Sequence, residues 1–255
     1  MLADLWRVDP AREPELMDDP SLSAEEHLAA LDALGRINIL SRTASQLATA
    51  IGRIAVGTAA SPDRPLRIVD IACGGGDVTV ALAKSLSRPR YRRSIGPIAV
   101  TGIDVSRRAI DRAAALAGRG NCNVDFAVRD VVAEGCPPCD VATSSLFLHH
   151  LDDGAAESVL RAMAATARLG VVVSDLVRSG AGLALAVAAT TFICRSRVAR
   201  VDGPLSVRAA RTVAEYQDLS RRAELTGAMV RRSWPERVVI EWRKPSSGAA
   251  AAGGT

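Results

Sequence analysis

The sequence is organised around residues 66 to 83, LRIVDIACGGGDVTVALA, an apolar run that reaches three glycines and then restarts. Ile68, Val69 and Ile71 have the near-continuous hydrophobicity of a buried parallel strand, and the apolar spacing after Asp77 predicts a helix packed against it. Glycine adopts backbone angles that other residues avoid and lets a ligand approach the main chain. The stretch therefore predicts a strand, a ligand-binding turn and a helix that Asp77 caps.

The glycine spacing and one acidic residue distinguish between two classes of adenosine-containing ligand. The dinucleotide pattern G-x-G-x-x-G needs a third glycine, but Thr79 stands there when the count starts from Gly74 and Gly76. Asp70 precedes the glycines, and a carboxylate at this position would repel a pyrophosphate but attract a sulfonium or an ammonium group. These features favour S-adenosylmethionine over a nicotinamide dinucleotide.

The composition favours one large α/β domain. A chain of 255 residues accommodates such a domain with a helical addition but is short for two domains. It is 48% hydrophobic and only 3% aromatic, which argues against a base-stacking surface and hence against a nucleic-acid partner. Five basic residues and no acid lie between Lys84 and Ser94, and we expect a solvated loop there.

The cysteines and the amino terminus predict a cytoplasmic protein. Five cysteines are an odd number without the dense spacing of a disulfide scaffold, so we expect a reducing compartment. Cys136 and Cys139 have the spacing of a metal knuckle, but no second pair completes four ligands, and we predict no metal site. The first residues are acidic and lack the basic start and apolar run of a signal peptide.

Helical periodicity precedes the glycine stretch. Leucines and isoleucines recur at helical spacing from Leu28 to Ile51, which predicts one or two helices. We divide the chain into an N-terminal arm and helical cap at residues 1–60 and a ligand-binding domain at residues 61–245. An Ala/Gly tail at residues 246–255 is expected to be disordered.

In two segments, an acidic residue lies at or just after the end of a predicted strand. Residues 98–106, IAVTGIDVS, predict a second strand ending at Asp104, and residues 124–132 predict a third strand followed by Asp130. An acid at the end of the second strand lies beside the adenosine ribose in folds of this kind, where its oxygens can accept both hydroxyl hydrogens. Residues 139–153 predict a fourth strand that runs into a loop and a helix.

The segment D-I-A-C-G-G-G-D at residues 70–77 resembles the first motif of the Rossmann-like, class I S-adenosylmethionine-dependent methyltransferases. Ala72 in place of the commoner first glycine is similar to the small-molecule branch that modifies quinones and polyketides. The resemblance covers about residues 66 to 243. It implies a doubly wound α/β fold with a seven-stranded, mostly parallel sheet, a final antiparallel hairpin, an N-terminal helical cap and a lid insertion at about residues 179–210.

The resemblance also implies a set of cofactor contacts. In this family the residue at Asp130 reaches the exocyclic amine of adenine, and the loop at Ser144, Ser145 and Leu146 lies at the methionine end of the cofactor. The residues that we expect to bind S-adenosylmethionine are Asp70, Ala72, Cys73, Gly74, Gly76, Asp104, Val105, Asp130, Val131 and Ser145.

An uncharged segment gives information about the molecule that accepts the methyl group. After a predicted fifth strand at residues 171–177, residues 179–194 carry no charge and are fewer than the roughly 20 needed to cross a bilayer. We interpret them as a lid helix over an apolar small-molecule acceptor. Arg195, Arg197 and Arg200 follow directly, which leaves open a helix that contacts a membrane surface. The sequence gives no indication of the oligomeric state.

Two of the three histidines, His149 and His150, follow the fourth strand, where the family places the acceptor. An imidazole there could take the proton of an oxygen nucleophile, although either ring could instead pack or cap. We predict O-methylation of a phenolic, quinone-like or polyketide metabolite. The alternatives are a C-methyltransferase of a similar metabolite and a non-catalytic S-adenosylmethionine-binding protein. A nucleic-acid amino-methylase would carry a D/N-P-P-aromatic motif, which residues 144–147 lack.

Overall fold

The centre of the molecule is a seven-stranded sheet with the strand order β3-β2-β1-β4-β5-β7-β6. The computed structural model describes residues 10, 13–19, 21–57, 60–120, 122–194 and 196–245. Its strands are β1 (Leu66–Ile71), β2 (Ile98–Asp104), β3 (Asp125–Val128), β4 (Cys139–Ser145), β5 (Ala167–Leu176), β6 (Met229–Ser233) and β7 (Arg237–Arg243). Strands β1 to β5 are parallel, and β7 runs antiparallel to both β5 and β6. The predicted α/β fold with its final hairpin is confirmed.

Helices cover both faces of this sheet. They are α1 (Ala24–Leu40), α2 (Thr43–Ala55), α3 (Asp77–Leu86), α4 (Pro89–Ile95), α5 (Arg107–Arg119), α6 (Val131–Glu134), α7 (Asp153–Thr166), α8 (Gly180–Phe192), α9 (Arg197–Ala209) and α10 (Val213–Arg222). One apolar cluster joins Leu47 and Leu82 of α2 and α3 to Ile68 and Val141 of the sheet. Strands β1 and β4 are buried almost throughout, as expected for parallel strands covered on both faces.

The second face is packed by α7 and α10. Leu160 and the fully buried Tyr216 contact the opposite side of the same strands, among them Val171 and Ile240. Adjacent residues of a strand point to opposite faces, so β5 supplies Val171 to this cluster and Val172 to the first. The two clusters hold the sheet rigidly and leave the carboxyl ends of β1, β2 and β4 as its open edge.

Helix α1 and the helices that follow β5 lie above that edge. The predicted cap forms two helices, and Ser23 caps α1 by accepting a hydrogen bond from the Glu26 N–H at 3.2 Å. Helices α8 and α9 follow β5, and Ala199 of α9 packs with Ala33 of α1. No helix in the described part of the chain is long and apolar enough to cross a membrane. The predicted tail at residues 246–255 lies outside the described residues.

Three local predictions were wrong. The basic segment at residues 84–94 is helical, since α3 extends to Leu86 and α4 begins at Pro89, whose fixed φ suits the first helical position. Strand β5 begins at Ala167, four residues before the expected start at residue 171. Asp77 does not cap α3: Gly76 occupies the cap with φ 79°, and Asp77 is the first helical residue.

Candidate active site

Two adjoining cavities open at the carboxyl ends of the parallel strands. The first has a volume of about 600 Å³ and lies over the glycine turn, between β1, β2 and β4. The second has a volume of about 260 Å³ and lies between α1, α8, α9 and the turn before β7. Four residues line both cavities, namely Met17, Leu34, Leu146 and His150. The two spaces therefore meet at one junction.

The glycine turn forms the floor of the first cavity. Gly74 has φ 52°, and a Cβ built there would meet no atom within 4 Å, so the turn is open to the cavity. The Gly74 N–H donates to Asp104 Oδ2 at 2.8 Å, which ties the turn to the end of β2. Ala72 and Leu146, on either side of this floor, also have positive φ angles, 53° and 56°. Non-glycine residues with such angles concentrate at ligand sites.

Arg112 of α5 fixes the turn from outside. Its Nη1 donates to the Gly75 carbonyl at 2.6 Å and to Asp77 Oδ2 at 3.0 Å, and its Nη2 donates to Asp32 Oδ1 of α1 at 2.7 Å. This contact explains why Asp77 is unavailable as a cap. It also connects the helical cap to the turn, a link between residues 80 positions apart that no local sequence pattern indicates.

Two predicted acids line the first cavity. Asp104 Oδ1 accepts the Ser106 N–H at 2.9 Å, and Asp130 Oδ1 accepts the Val132 N–H at 2.8 Å while capping α6. These backbone contacts hold each carboxylate at the cavity wall. Each oxygen has more than one lone pair, so both acids can still accept hydrogen bonds from a ligand.

Asp70 lies behind the cavity wall. Its side chain is fully buried, its Oδ2 accepts the Thr79 hydroxyl at 2.6 Å, and its Oδ1 has no hydrogen-bond partner among the described residues. Burial raises the pKa of Asp70 to about 7, and the nearby Asp104 adds to this rise while the Thr79 hydroxyl opposes it. In this structure the Asp70 side chain contacts Thr79 of α3 and is not part of the cavity lining.

Gly76 and Ser144 also do not line the first cavity. A Cβ on Gly76 would lie 2.6 Å from Ala113 Cβ, so this glycine allows α5 to pack closely. Ser144 is fully buried and donates its hydroxyl to the Ile71 carbonyl at 2.9 Å, so its side chain is not part of this cavity's lining. Eight predicted residues do line it: Ala72, Cys73, Gly74, Asp104, Val105, Asp130, Val131 and Ser145.

The sequence did not identify which residues of α1 line the first cavity. His27, Leu31, Leu34 and Asn38 line it and recur every three or four residues, so they share one helix face. That periodicity was visible in the sequence but is equally typical of a core-facing helix. Other lining residues that the sequence did not indicate are Gly75, Asp77, Ser106, Arg108, Arg129 and Phe147.

The second cavity is apolar at its mouth and polar at its base. Leu185 and Ala189 of α8, Leu40 of α1 and the exposed Trp234 form much of its wall. Its polar lining residues are Glu15, Ser41, His149, His150, Thr190, Asp202, Ser206, Glu236 and Arg237. Such a space suits a mostly apolar small molecule with few polar groups.

His149 is buried and held by Asp175. Its Nδ1 lies 2.6 Å from Asp175 Oδ1, and its backbone N–H donates to Asp175 Oδ2 at 3.3 Å. Burial alone would raise the pKa of Asp175, but attraction to His149 and the hydrogen bonds from His149 and the Leu176 N–H hold it below its ordinary value. A carboxylate partner keeps the ring proton on Nδ1, so the lone pair of His149 is on Nε2.

His150 stands at the junction of the two cavities. Its ring centroid lies 4.2 Å from that of His149, and its Nδ1 lies 4.0 Å from Glu15 Oε2. Burial and the neighbouring His149 lower the pKa of His150 to about 4, against the opposing pull of Glu15 and Asp175. His150 is therefore neutral at physiological pH but a weaker base than an ordinary histidine.

The strand order, the glycine turn after β1 and an acid at the end of β2 define the class I, Rossmann-like methyltransferase fold. Residues 68–170 match the family model described as a methyltransferase domain. This part of the chain is therefore similar to a methyltransferase domain, which agrees with the resemblance of residues 70–77 to the S-adenosylmethionine-dependent methyltransferases.

One curated relative and two solved structures illustrate the similarity. The ubiquinone biosynthesis O-methyltransferase of Caulobacter vibrioides is 31% identical over 144 residues, which cover 54% of this chain and 52% of the relative. The match thus spans about half the length of that protein. Plantazolicin methyltransferase BpumL in complex with SAH has a TM-score of 0.60 at 18% identity, covering 84% of this chain and 74% of its own.

Magnesium protoporphyrin IX methyltransferase from Synechocystis PCC 6803, also with bound SAH, has a TM-score of 0.54 at 15% identity. The alignment covers 90% of this chain and 91% of the other. At these identities the two structures show a shared fold and leave the acceptor of this chain open.

Proposed function

We propose that this protein transfers a methyl group from S-adenosylmethionine to an oxygen atom of a small, largely apolar acceptor. The observation that carries the proposal is the junction of the two cavities at Leu146 and His150. One cavity presents carboxylates and an open glycine turn, and the other is mainly apolar. A cofactor and an acceptor in these two spaces would meet where the histidines stand.

The first cavity fits the cofactor in its chemistry. Asp104 and Asp130 are acceptors suited to ribose hydroxyls and to the adenine amine, and Gly74 leaves open space where any side chain would intrude. Asp70 places a buried carboxyl with an unpartnered oxygen directly behind the turn. Ser145 and Leu146 would border the methionine end. When bound, S-adenosylmethionine supplies an electrophilic methyl group that replaces the acceptor's hydroxyl proton.

In this proposal, His149 is the base that takes the proton of the acceptor's hydroxyl group. Asp175 orients the ring through Nδ1, so Nε2 can accept a proton from a hydroxyl in the second cavity, and the Asp175 carboxylate then stabilises the imidazolium. Such base catalysis typically contributes about 100-fold to 10,000-fold. Leu146 and His150 would hold the acceptor against the junction, and the apolar wall would exclude water.

Oxygen rather than carbon is favoured as the methylated atom. A positioned base is required when the nucleophile must lose a hydroxyl proton, and the Asp175–His149 pair provides one. The curated relative is an O-methyltransferase by name, which agrees with this choice. We therefore propose a phenolic, quinone-like or polyketide acceptor. We also place the activity in the cytoplasm, since all five cysteines are free.

The cofactor assignment is tested at Asp104. Hydrogen bonds to a charged acceptor contribute about 1.5 to 3 kcal/mol each, so Asp104→Ala should weaken S-adenosylmethionine binding by roughly 100-fold. Isothermal titration calorimetry would measure the affinity. Asp111→Ala, an exposed acid on α5, is the matched control and should bind like wild type.

Asp104→Asn is a milder change, because its one oxygen can still accept from either the Gly74 or the Ser106 N–H, which donate to different Asp104 oxygens in wild type. Its cofactor affinity should fall between those of wild type and Asp104→Ala. If folded Asp104→Ala binds S-adenosylmethionine as tightly as wild type, the first cavity is not the cofactor site.

A further inference from the structure

Arg237 is a buried cation at the base of the second cavity. It is the first residue of β7 and only 3% exposed. Because β7 runs antiparallel to β5, its first residue lies at the same edge of the sheet as the carboxyl ends of the parallel strands. Among the described residues that line this cavity, Arg237 is the one lysine or arginine.

The guanidinium of Arg237 is poorly satisfied. Its Nη2 donates to the Ser41 hydroxyl over a long 3.4 Å, and its buried Nη1 has no hydrogen-bond partner among the described residues. A guanidinium has five N–H donors, and a buried charge is normally paired because its transfer from water is costly. Arg237 therefore has hydrogen-bonding capacity that no described residue uses.

The acids near Arg237 do not neutralise its positive charge. Asp175 attracts Arg237, but its oxygens accept from His149 and from the Leu176 N–H. The strand register also separates the two side chains, since Arg237 pairs with Leu176 whereas Asp175 pairs with Val238 on the opposite face.

Two acids that line the cavity itself also accept hydrogen bonds from other residues. Glu15 Oε1 accepts the Ser206 hydroxyl at 2.5 Å, and Glu236 Oε2 accepts the Ser179 hydroxyl at 2.7 Å. Burial lowers the pKa of Arg237 to about 10, against the attraction of Asp175, so the side chain remains protonated at neutral pH. A full positive charge thus faces a mainly apolar space.

We infer that Arg237 anchors a carboxylate of the acceptor, which is therefore an apolar acid whose hydroxyl group is methylated beside His149. A carboxylate matches the planar guanidinium with two parallel hydrogen bonds, and the surrounding apolar wall strengthens such a pair. This inference rests on the proposed function, because it takes the second cavity as the acceptor site.

Three matched probes test the inference: 2-naphthoate, 2-naphthamide and 2-naphthol, titrated at pH 7 into the protein with and without saturating S-adenosylhomocysteine. The first carries a carboxylate, the second a neutral group of similar shape, and the third a hydroxyl that is neutral at this pH. Wild type should bind the carboxylate about 10- to 100-fold more tightly than the amide, as expected for charge-assisted hydrogen bonds.

Variants assign that preference to Arg237. Arg237→Met should abolish it, whereas Arg231→Met in the same hairpin should retain it. Arg237→Lys keeps the charge but loses the two-pronged geometry, so it should show a reduced preference; it also serves if Arg237→Met does not fold. Each variant's melting temperature is measured alongside.

Equal affinities for naphthoate and naphthamide in wild type would overturn the inference, as would a preference that survives in folded Arg237→Met or is undiminished in Arg237→Lys. The naphthol titration is repeated at about pH 9, where part of its hydroxyl is ionised; tighter naphthol binding there, without any naphthoate preference, would identify the reacting oxygen as the partner and also overturn the inference. None of these titrations requires turnover. Naphthoate binding through Arg237 in a protein that does not bind S-adenosylmethionine would instead defeat the proposed function.

Discussion

Three residues around the first cavity have a left-handed backbone conformation. Ala72, Gly74 and Leu146 all line it and have φ angles between 52° and 56°. For a residue with a Cβ this conformation costs roughly 1 to 2 kcal/mol, and it persists only where the surroundings impose it. The sheet on both sides supplies that constraint, so the strain accompanies the shaping of the ligand site.

Gly74 and Gly76 have different roles. Gly74 lines the first cavity, whereas Gly76 allows α5 to pack against the turn. Gly74→Ala would place a methyl group in open cavity space, so it should reduce S-adenosylmethionine affinity at least 10-fold while costing about 1 kcal/mol of stability. Gly76→Ala would place its methyl group 2.6 Å from Ala113 Cβ, adding about 1 to 3 kcal/mol for overpacking. Urea denaturation and calorimetry would measure both. If both variants lowered S-adenosylmethionine affinity and the free energy of unfolding by the same amounts, the two glycines would not have these different roles.

His149 and His150 should differ in catalysis. His149→Gln keeps a donor for Asp175 but loses the base, so turnover of a phenolic acceptor should fall at least about 100-fold. His150 has a pKa of about 4 and is a poor base at neutral pH, so His150→Gln should cost less than about 10-fold. Steady-state kinetics would measure both losses, with cofactor affinity and melting temperature as controls.

The residual rate of His149→Gln should rise with pH, because a free phenol ionises near pH 10 and then needs no base. His150 stays neutral above its pKa of about 4, so it should add no inflection between pH 5 and 8. If both variants keep near-wild-type turnover, the histidines are structural and proximity alone accounts for catalysis.

Helix α8 forms one wall of the second cavity. It carries no charged residue, and its apolar side chains divide between the cavity and the surface. Leu185 lines the cavity, whereas Val187 is similarly exposed, 42% against 46%, but does not line it. The two positions therefore distinguish a lid from a surface-binding helix.

Leu185→Glu should lower turnover because it places a charge against an apolar acceptor, with little change in S-adenosylmethionine affinity. Val187→Glu is the matched control and should retain turnover. Kinetics and calorimetry on both variants test this. If wild type sediments with anionic liposomes and both glutamates abolish that binding, α8 acts as an interfacial helix and not as a lid.

The sheet could be predicted from the sequence because its signals are local. Most of the parallel strands contain an apolar run, and the motif at residues 70–77 identified the fold that orders the strands. Segments with mixed signals were mispredicted: residues 84–94 were read as a loop from their charge, although Pro89 starts a helix there. Local composition does not show which basic residues lie on a helix surface.

The molecule's second cavity could be predicted only in part. His149 and His150 were found because they follow β4, but their partners come from far along the chain. Asp175 lies 26 positions from His149, and Arg237 reaches the cavity through pairing of β7 with β5. Such partners are set by tertiary packing, so Asp175, Glu15 and Arg237 left no signal in any short pattern.

The central claim is that the two cavities hold cofactor and acceptor and meet at the transferred methyl group. A crystal structure of the protein saturated with S-adenosylhomocysteine tests it most directly. The predicted result places the adenosine between Asp104 and Asp130, with the sulfur directed to Leu146 and His150 and the second cavity still open. Density with the adenosine beside His150, or a ligand bound outside the first cavity, would contradict the account.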